Sequence, residues 1–205
     1  MGLRLRLSGR AAWLTVAALL AGLSLICWFL PTHSFDWQPA LAAREPWRAF
    51  TAAGVHWSLR HLLANLAGCA VLAWLGWRAD LPWRAAVAWA LAWPLTQLGL
   101  LARPELLHYG GLSGVLHAGV AVLVVELLVA RRTQRIGAAL AAGLLLKLGL
   151  EAGWGPALQQ PAGLDFAVAP CAHLSGAIIG VLLAVAARRA SGPSRHTASK
   201  GAADP

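Results

Sequence analysis

Six apolar runs, each near the length of a bilayer crossing, follow one another along this chain and leave little sequence between them. About 20 apolar residues cross the hydrocarbon as a helix. A crossing segment must satisfy its backbone polar groups internally, which a helix does by itself. The first run is AAWLTVAALLAGLSLICWFL at 11–30, and the others lie at roughly 57–77, 82–102, 112–130, 135–153 and 168–187. The chain is 59% hydrophobic and only 12% charged, with mean hydropathy +0.62, whereas soluble domains carry about 25% charged residues. The expectation is an all-α membrane protein, a six-transmembrane-helix bundle at 11–188, with a short N-terminus at 1–10 and a small, polar tail at 189–205 that reads as disordered. No internal repeat is visible.

The first run raises the alternative of a cleaved leader, since MGLRLRLSGR suits an n-region and ALAA at 40–43 offers a cleavage site. The run is too long for a usual h-region and ends in bulky CWFL, so a retained span is expected.

Net charge is +9 and pI about 11.2. A basic balance can signal nucleic acid, but here the basic residues sit between apolar runs, and nucleic-acid binding is not expected. With the N-terminus inside, the inner side holds Arg4, Arg6, Arg10, Arg78, Arg84, Arg131, Arg132, Arg135, Arg188, Arg189, Arg195 and Lys200. The outer side holds Arg44, Arg48 and Arg103, while Arg60 and Lys147 fall within runs. Twelve against three is a strong positive-inside bias and places both termini in the cytoplasm. Trp28, Trp37, Trp47, Trp57, Trp77, Trp83 and Trp154 fall near run ends, as interfacial aromatic belts do. Cys27, Cys69 and Cys171 are isolated, without metal-ligand spacing, and read as packing residues.

This topology brings three polar stretches to one outer depth. The fourth run opens HYGGLSGVLHAG, with Ser113 between glycines and His117 four residues on. The second opens HWSLRHLLANLAG, where His61 and Asn65, four apart, share a helix face and His56 lies above them. The sixth opens APCAHLSGAIIGVLL, where His173, Gly176 and Gly180 share a face. Polar groups in hydrocarbon are costly unless paired or lining a wet cavity; each alone reads as an interhelical hydrogen bond. Gly176 and Gly180 permit close helix approach, and a helix seated on them would carry its own side chain to His173. Ser113, beside Gly114, is the candidate. A serine becomes a nucleophile when a base within hydrogen-bond reach takes its proton. Ser113 and His173 could form that dyad, with no acidic third member visible nearby in sequence. Backbone N–H groups at the start of the fourth run, with His61 and Asn65, could serve a developing oxyanion. One such donor contributes about 2.7–4 kcal/mol to transition-state stabilisation. Another class stays open: His56, His61, His117 and His173 could offer imidazoles to zinc in a membrane transporter, though that gives no reason for GLSG.

These motifs resemble those of the rhomboid intramembrane serine proteases, along the length of all six runs. EPWRAF, Glu45–Phe50, resembles the family's WR element; HWSLRHLLANLAG its His-x4-His-x3-Asn signature; GLSG, Gly111–Gly114, its nucleophile motif; and AHLSGAIIG, Ala172–Gly180, its sixth-helix motif. The resemblance implies a rhomboid-like bundle in which Ser113 is nucleophile and His173 general base. His61, Asn65 and the Leu112 and Ser113 backbone would form the oxyanion hole. His56, Gly111, Gly114, Gly176 and Gly180 would shape the site, and Trp47 and Arg48 the outer loop. His117 matches no catalytic position and takes a structural role. No metal and no cofactor is implied.

The short chain and KLGLEAG in the fifth run resemble the bacterial rhombosortases, which implies an inner-membrane enzyme with its site facing the periplasm. The implied partners are membrane proteins bearing a C-terminal tail of Gly-Gly motif, apolar helix and basic end, with a general bacterial rhomboid protease as the alternative. A relative that only binds membrane clients is a further one; such relatives usually lack the serine or the histidine, and both stand here.

Lys147 and Glu151 carry charge within the fifth run. Lys147 is 12 residues, about 18 Å, above Arg135, and Glu126 is about 7–8 Å above the inner face at 1.5 Å per residue. They differ by about 10 Å in depth, so Glu151, one turn beyond Lys147, is the expected partner. Lys147 and Glu151 read as an ion pair or, through the resemblance, as part of a substrate groove.

Overall fold

A computed structural model describes residues 8–191. Arg4, Arg6, Arg195, Lys200 and most of the expected disordered tail lie outside the described residues. Six long helices account for the six apolar runs: α1 Gly9–Cys27, α2 Leu59–Arg78, α3 Trp83–Leu98, α4 Ser113–Val129, α5 Gln134–Glu151 and α6 Pro170–Ala190. No strand occurs among the described residues; backbone bridges pair Trp37 with Tyr109 and Gln159 with Val168. Four helices, α1, α2, α3 with its 3-10 extension to Ala102, and α6, are long and apolar enough to cross a membrane. At 17 residues α4 is shorter, and α5 carries Arg135, Lys147 and Glu151. The chain is a multi-pass helical membrane protein.

Local signals set the helix starts. Ser8 caps α1 by accepting from the Ala11 N–H at 3.2 Å, and Ser58 caps α2 by accepting from the His61 N–H at 3.1 Å. Pro170 opens α6, where its missing N–H costs no hydrogen bond. α5 ends on Ala152, whose left-handed backbone (φ 47°) stops the helix one residue past Glu151.

α4 is apolar on every side and so belongs at the centre. Val115, Ala118, Ala121, Val122 and Leu123 are all buried, and α2, α3, α5 and α6 pack around it. Its tightest neighbour is α6, because a Cβ on Gly176 would fall on the Gly114 carbonyl and one on Gly180 on the Ala118 carbonyl. Two tryptophans, Trp13 and Trp89, fill wider gaps and donate their N–H groups to helix carbonyls. Trp13 donates to Leu72 O at 3.0 Å and Trp89 to Val115 O at 2.9 Å, with the two rings 4.4 Å apart. The three cysteines are buried and free, in keeping with a packing role.

The ends of the bundle differ chemically. At one end Glu126 of α4 accepts from Arg84 of α3 (3.0 Å) and from Arg188 of α6. These are its partners rather than Lys147, which pairs with Glu151 as its spacing predicts. At the other end the α1–α2 connection folds back with two short helices, Thr32–Phe35 and Arg48–Thr51. Trp37 and Tyr109 exchange backbone bonds of 2.7 and 2.9 Å, and the Gly111 N–H donates to Ala52 O at 3.0 Å. The connection thus holds the segment that leads into Ser113.

Candidate active site

Ser113 is the first residue of α4, and His173 lies in the first turn of α6. The glycine contact between these helices puts both side chains at one depth. The Ser113 Oγ and His173 Nε2 are 2.9 Å apart. The other ring nitrogen, Nδ1, lies 2.7 Å from Glu151 Oε2 at the end of α5. No carboxylate stands near this pair in the sequence, and the fold brings Glu151 to it. An ionised carboxylate only accepts, so Nδ1 carries the proton and Nε2 turns its lone pair to the serine. Lys147 binds the second oxygen of Glu151.

The imidazole is also held by its face. His117 stacks on His173 with ring centroids 4.2 Å apart and planes 13° from parallel, while its Nδ1–H donates to Ser113 O at 2.7 Å. It thus touches the Ser113 backbone and the face of the His173 ring. The signal was the four-residue spacing from Ser113, which puts His117 one turn down the same face.

α2 supplies the opposite wall. His61 and Asn65 are buried and line the same cavity as Ser113 and His173. Asn65 Nδ2, His61 Nδ1 and His56 Nε2 have no hydrogen-bond partner among the described residues. His56 Nδ1–H donates to Gly54 O at 3.0 Å, and burial pushes its pKa down to about 4, so the ring is neutral at pH 7. Gly111 has φ +143°, a conformation that favours glycine, and a Cβ there would sit 3.0 Å from the His61 ring. Leu112, fully buried, leads into the first turn of α4, whose leading N–H groups have no intrahelical acceptor.

The cavity measures about 530 Å³. Part of its wall is the α5–α6 connection, which carries no motif in the sequence. Phe166 stacks on His61 at 4.3 Å, Ser58 donates to Asp165 at 3.0 Å, and Arg60 donates to Gly163 O. Arg48 is buried and donates to Asp36 O (2.8 Å), Asp36 Oδ1 (3.0 Å) and His33 O (3.0 Å), and it pairs with Glu45. These bonds tie the two short helices of the outer connection to each other. Trp47 beside it is half exposed. Asp36, fully buried, also meets His108 Nδ1 at 2.6 Å.

The four imidazoles of the zinc reading do not form one ligand set. His56 and His61 pair at 4.8 Å between centroids, apart from the His117–His173 stack. Among the described residues, two other trios bring ligand atoms within 4.8 Å: His117, Glu151 and His173, and His33, Asp36 and His108. In the first, both nitrogens of His173 are already engaged by Ser113 and Glu151.

The arrangement can deprotonate a hydroxyl and offer free donors to an oxyanion inside an apolar bundle. In keeping with that, the family model described as Rhomboid domain matches residues 43–190, most of the chain. No curated protein matches it.

Proposed function

Because the chain belongs to the rhomboid family, whose members are intramembrane serine proteases, we propose that it is a serine endopeptidase in which Ser113 is the nucleophile and His173 the general base. The observation that carries this reading is the 2.9 Å contact between Ser113 Oγ and His173 Nε2 in the wall of the cavity. His173 Nε2 takes the Ser113 proton as Oγ bonds to the substrate carbonyl carbon. The oxyanion then faces Asn65 Nδ2, His61 and the backbone N–H groups of Leu112 and Ser113. When the C–N bond breaks, Nε2 returns the proton to the leaving amine. Water then attacks the acyl-enzyme by the same route in reverse. His61 donates here through Nε2 or Nδ1 according to its tautomer.

The substrate is a membrane segment that unwinds locally. Glycine suits this, since it lowers helix stability by about 1 kcal/mol relative to alanine. Within the family we favour the rhombosortase activity: release of exported proteins from a tail of Gly-Gly motif, apolar helix and basic end. The cavity then faces the periplasm from the inner membrane, and six helices cross with both ends inside. KLGLEAG in α5, which carries Lys147 and Glu151 to the cavity wall, supports that subgroup.

A fluorophosphonate probe and a tail-bearing reporter test both levels. The wild-type protein is expected to label at Ser113 and to cleave the reporter, while Ser113→Ala and His173→Ala insert normally but do neither. Full turnover by Ser113→Ala would remove the protease reading. Equal cleavage of reporters with the tail glycines intact or replaced by alanine would leave a general rhomboid protease. Absence of turnover together with stoichiometric zinc in the purified protein would favour the transporter.

A further inference from the structure

Glu151 makes a contact that the serine–histidine chemistry does not by itself require. We propose that Glu151, clamped by Lys147, is a positioning residue that turns the pair into a Ser113–His173–Glu151 triad. This rests on the assignment of Ser113 and His173 above.

Two contacts meet at this carboxylate. Its Oε2 lies 2.7 Å from His173 Nδ1, the nitrogen opposite the one that faces Ser113. An acceptor there selects the tautomer with a proton on Nδ1 and a lone pair on Nε2, the only neutral form able to take the serine proton. As Nε2 gains that proton the ring becomes cationic, and an anion already in place stabilises it without rearrangement. Glu151 stays ionised throughout; no proton passes to it. Its other oxygen is taken by Lys147, one turn earlier on α5.

The end of α5 is itself fixed. Gln159 Nε2 donates to the Glu151 carbonyl at 2.9 Å, and Ala152 turns the chain away in the left-handed conformation. His117 covers one face of the imidazole. The ring is therefore constrained at both nitrogens and on one face, leaving little freedom to turn away from Ser113. The competing explanation is a plain tie between α5 and α6, which touch little elsewhere. A tie would affect stability and nothing in the chemistry.

Glu151 lines the cavity with its side chain 21% exposed, so a small carboxylate can reach the space that Glu151→Ala would open. Removing the acid of a buried triad slows turnover by about 10⁴-fold. At this partly exposed position about 10²–10³-fold is expected, in kcat and in the fluorophosphonate labelling rate, with KM little changed. Added formate should restore at least tenfold of the Glu151→Ala loss, and Glu151→Asp should fall between alanine and wild type. Lys147→Met should lose several-fold, because the carboxylate remains. Thermal unfolding in detergent reports the tie separately.

Glu151→Ala within threefold of wild type would overturn the proposal. So would a loss that neither formate nor Glu151→Asp recovers, whether or not the variant stays folded. Wild-type protein that never labels, or Ser113→Ala that still labels, would instead remove the serine protease reading beneath it.

Discussion

Gly111 shows how much the site asks of one backbone position. Its φ of +143° suits only glycine, and a methyl there would press on the His61 ring at 3.0 Å. Gly111→Ala should cost about 1–3 kcal/mol of stability and slow probe labelling in the fraction that still folds, read by thermal unfolding and labelling on the same sample. His56 gives a pH dependence. Its pKa falls from 6.5 to about 4 through burial, so the unfolded chain binds a proton that the folded chain refuses. The unfolded state is thus favoured as pH drops through that window, and the stability the neutral ring contributes is complete only above about 6.5. His56→Gln, which keeps a donor for Gly54 O, should flatten the fall in melting temperature between pH 6.5 and 4; an unchanged fall would mean other groups control it. Ser113, His173, His61 and Asn65 were legible in the sequence because helical spacing assigns each a face and a depth. Glu151 was not. Its chain neighbour Lys147 explains it fully in one dimension, and only the packing of α5 beside α6 turns its other oxygen towards His173.

At the scale of elements, the α4–α6 contact decides whether the residues meet. Gly176 and Gly180 face the Gly114 and Ala118 carbonyls, so backbone rather than side chain sets the helix separation. Gly176→Ala must push the helices apart or tilt them. An overpacked contact costs about 1–3 kcal/mol, and a displacement of about 1 Å at a reacting pair can cost 10²-fold in rate. Activity should therefore fall far more than expression or membrane insertion, and a Gly176→Ala protein as active as wild type would mean that α4 has another way to seat. This face was legible because small residues at a spacing of four need no knowledge of the partner. Helix ends were legible too: the fourth run, expected at 112–130, forms α4 at Ser113–Val129. The connections were not. The short helices Thr32–Phe35 and Arg48–Thr51 depend on Arg48 reaching Asp36 across 12 residues, and no local pattern encodes that reach.

The whole molecule separates its chemistry from its anchoring. Glu126 binds Arg84 and Arg188 at the end of the bundle opposite Ser113, about 20 Å away along α4 at 1.5 Å per residue. Its side chain is 6% exposed and theirs 26% and 28%, so Glu126→Gln should cost less than the 3–5 kcal/mol of a fully buried pair, about 1–2 kcal/mol. Activity per folded molecule should not change. The proposed orientation rests on the same polarity. Arg131, Arg132 and Arg135 stand at one end of α5, and the connection from 152 to 169 at the other has no Lys or Arg. Positively charged segments stay on the cytoplasmic side, which supports the proposed outward-facing cavity. Because Cys27, Cys69 and Cys171 are all buried, one added thiol reports its own side. Gln160→Cys, exposed beside the cavity, should react with an impermeant maleimide on intact cells. Arg131→Cys, exposed at the other end, should react only after lysis. The reverse pattern would open the cavity to the cytoplasm and leave an exported tail no way to reach Ser113. The hydroxyl–imidazole chemistry would survive that result, and the rhombosortase assignment would not.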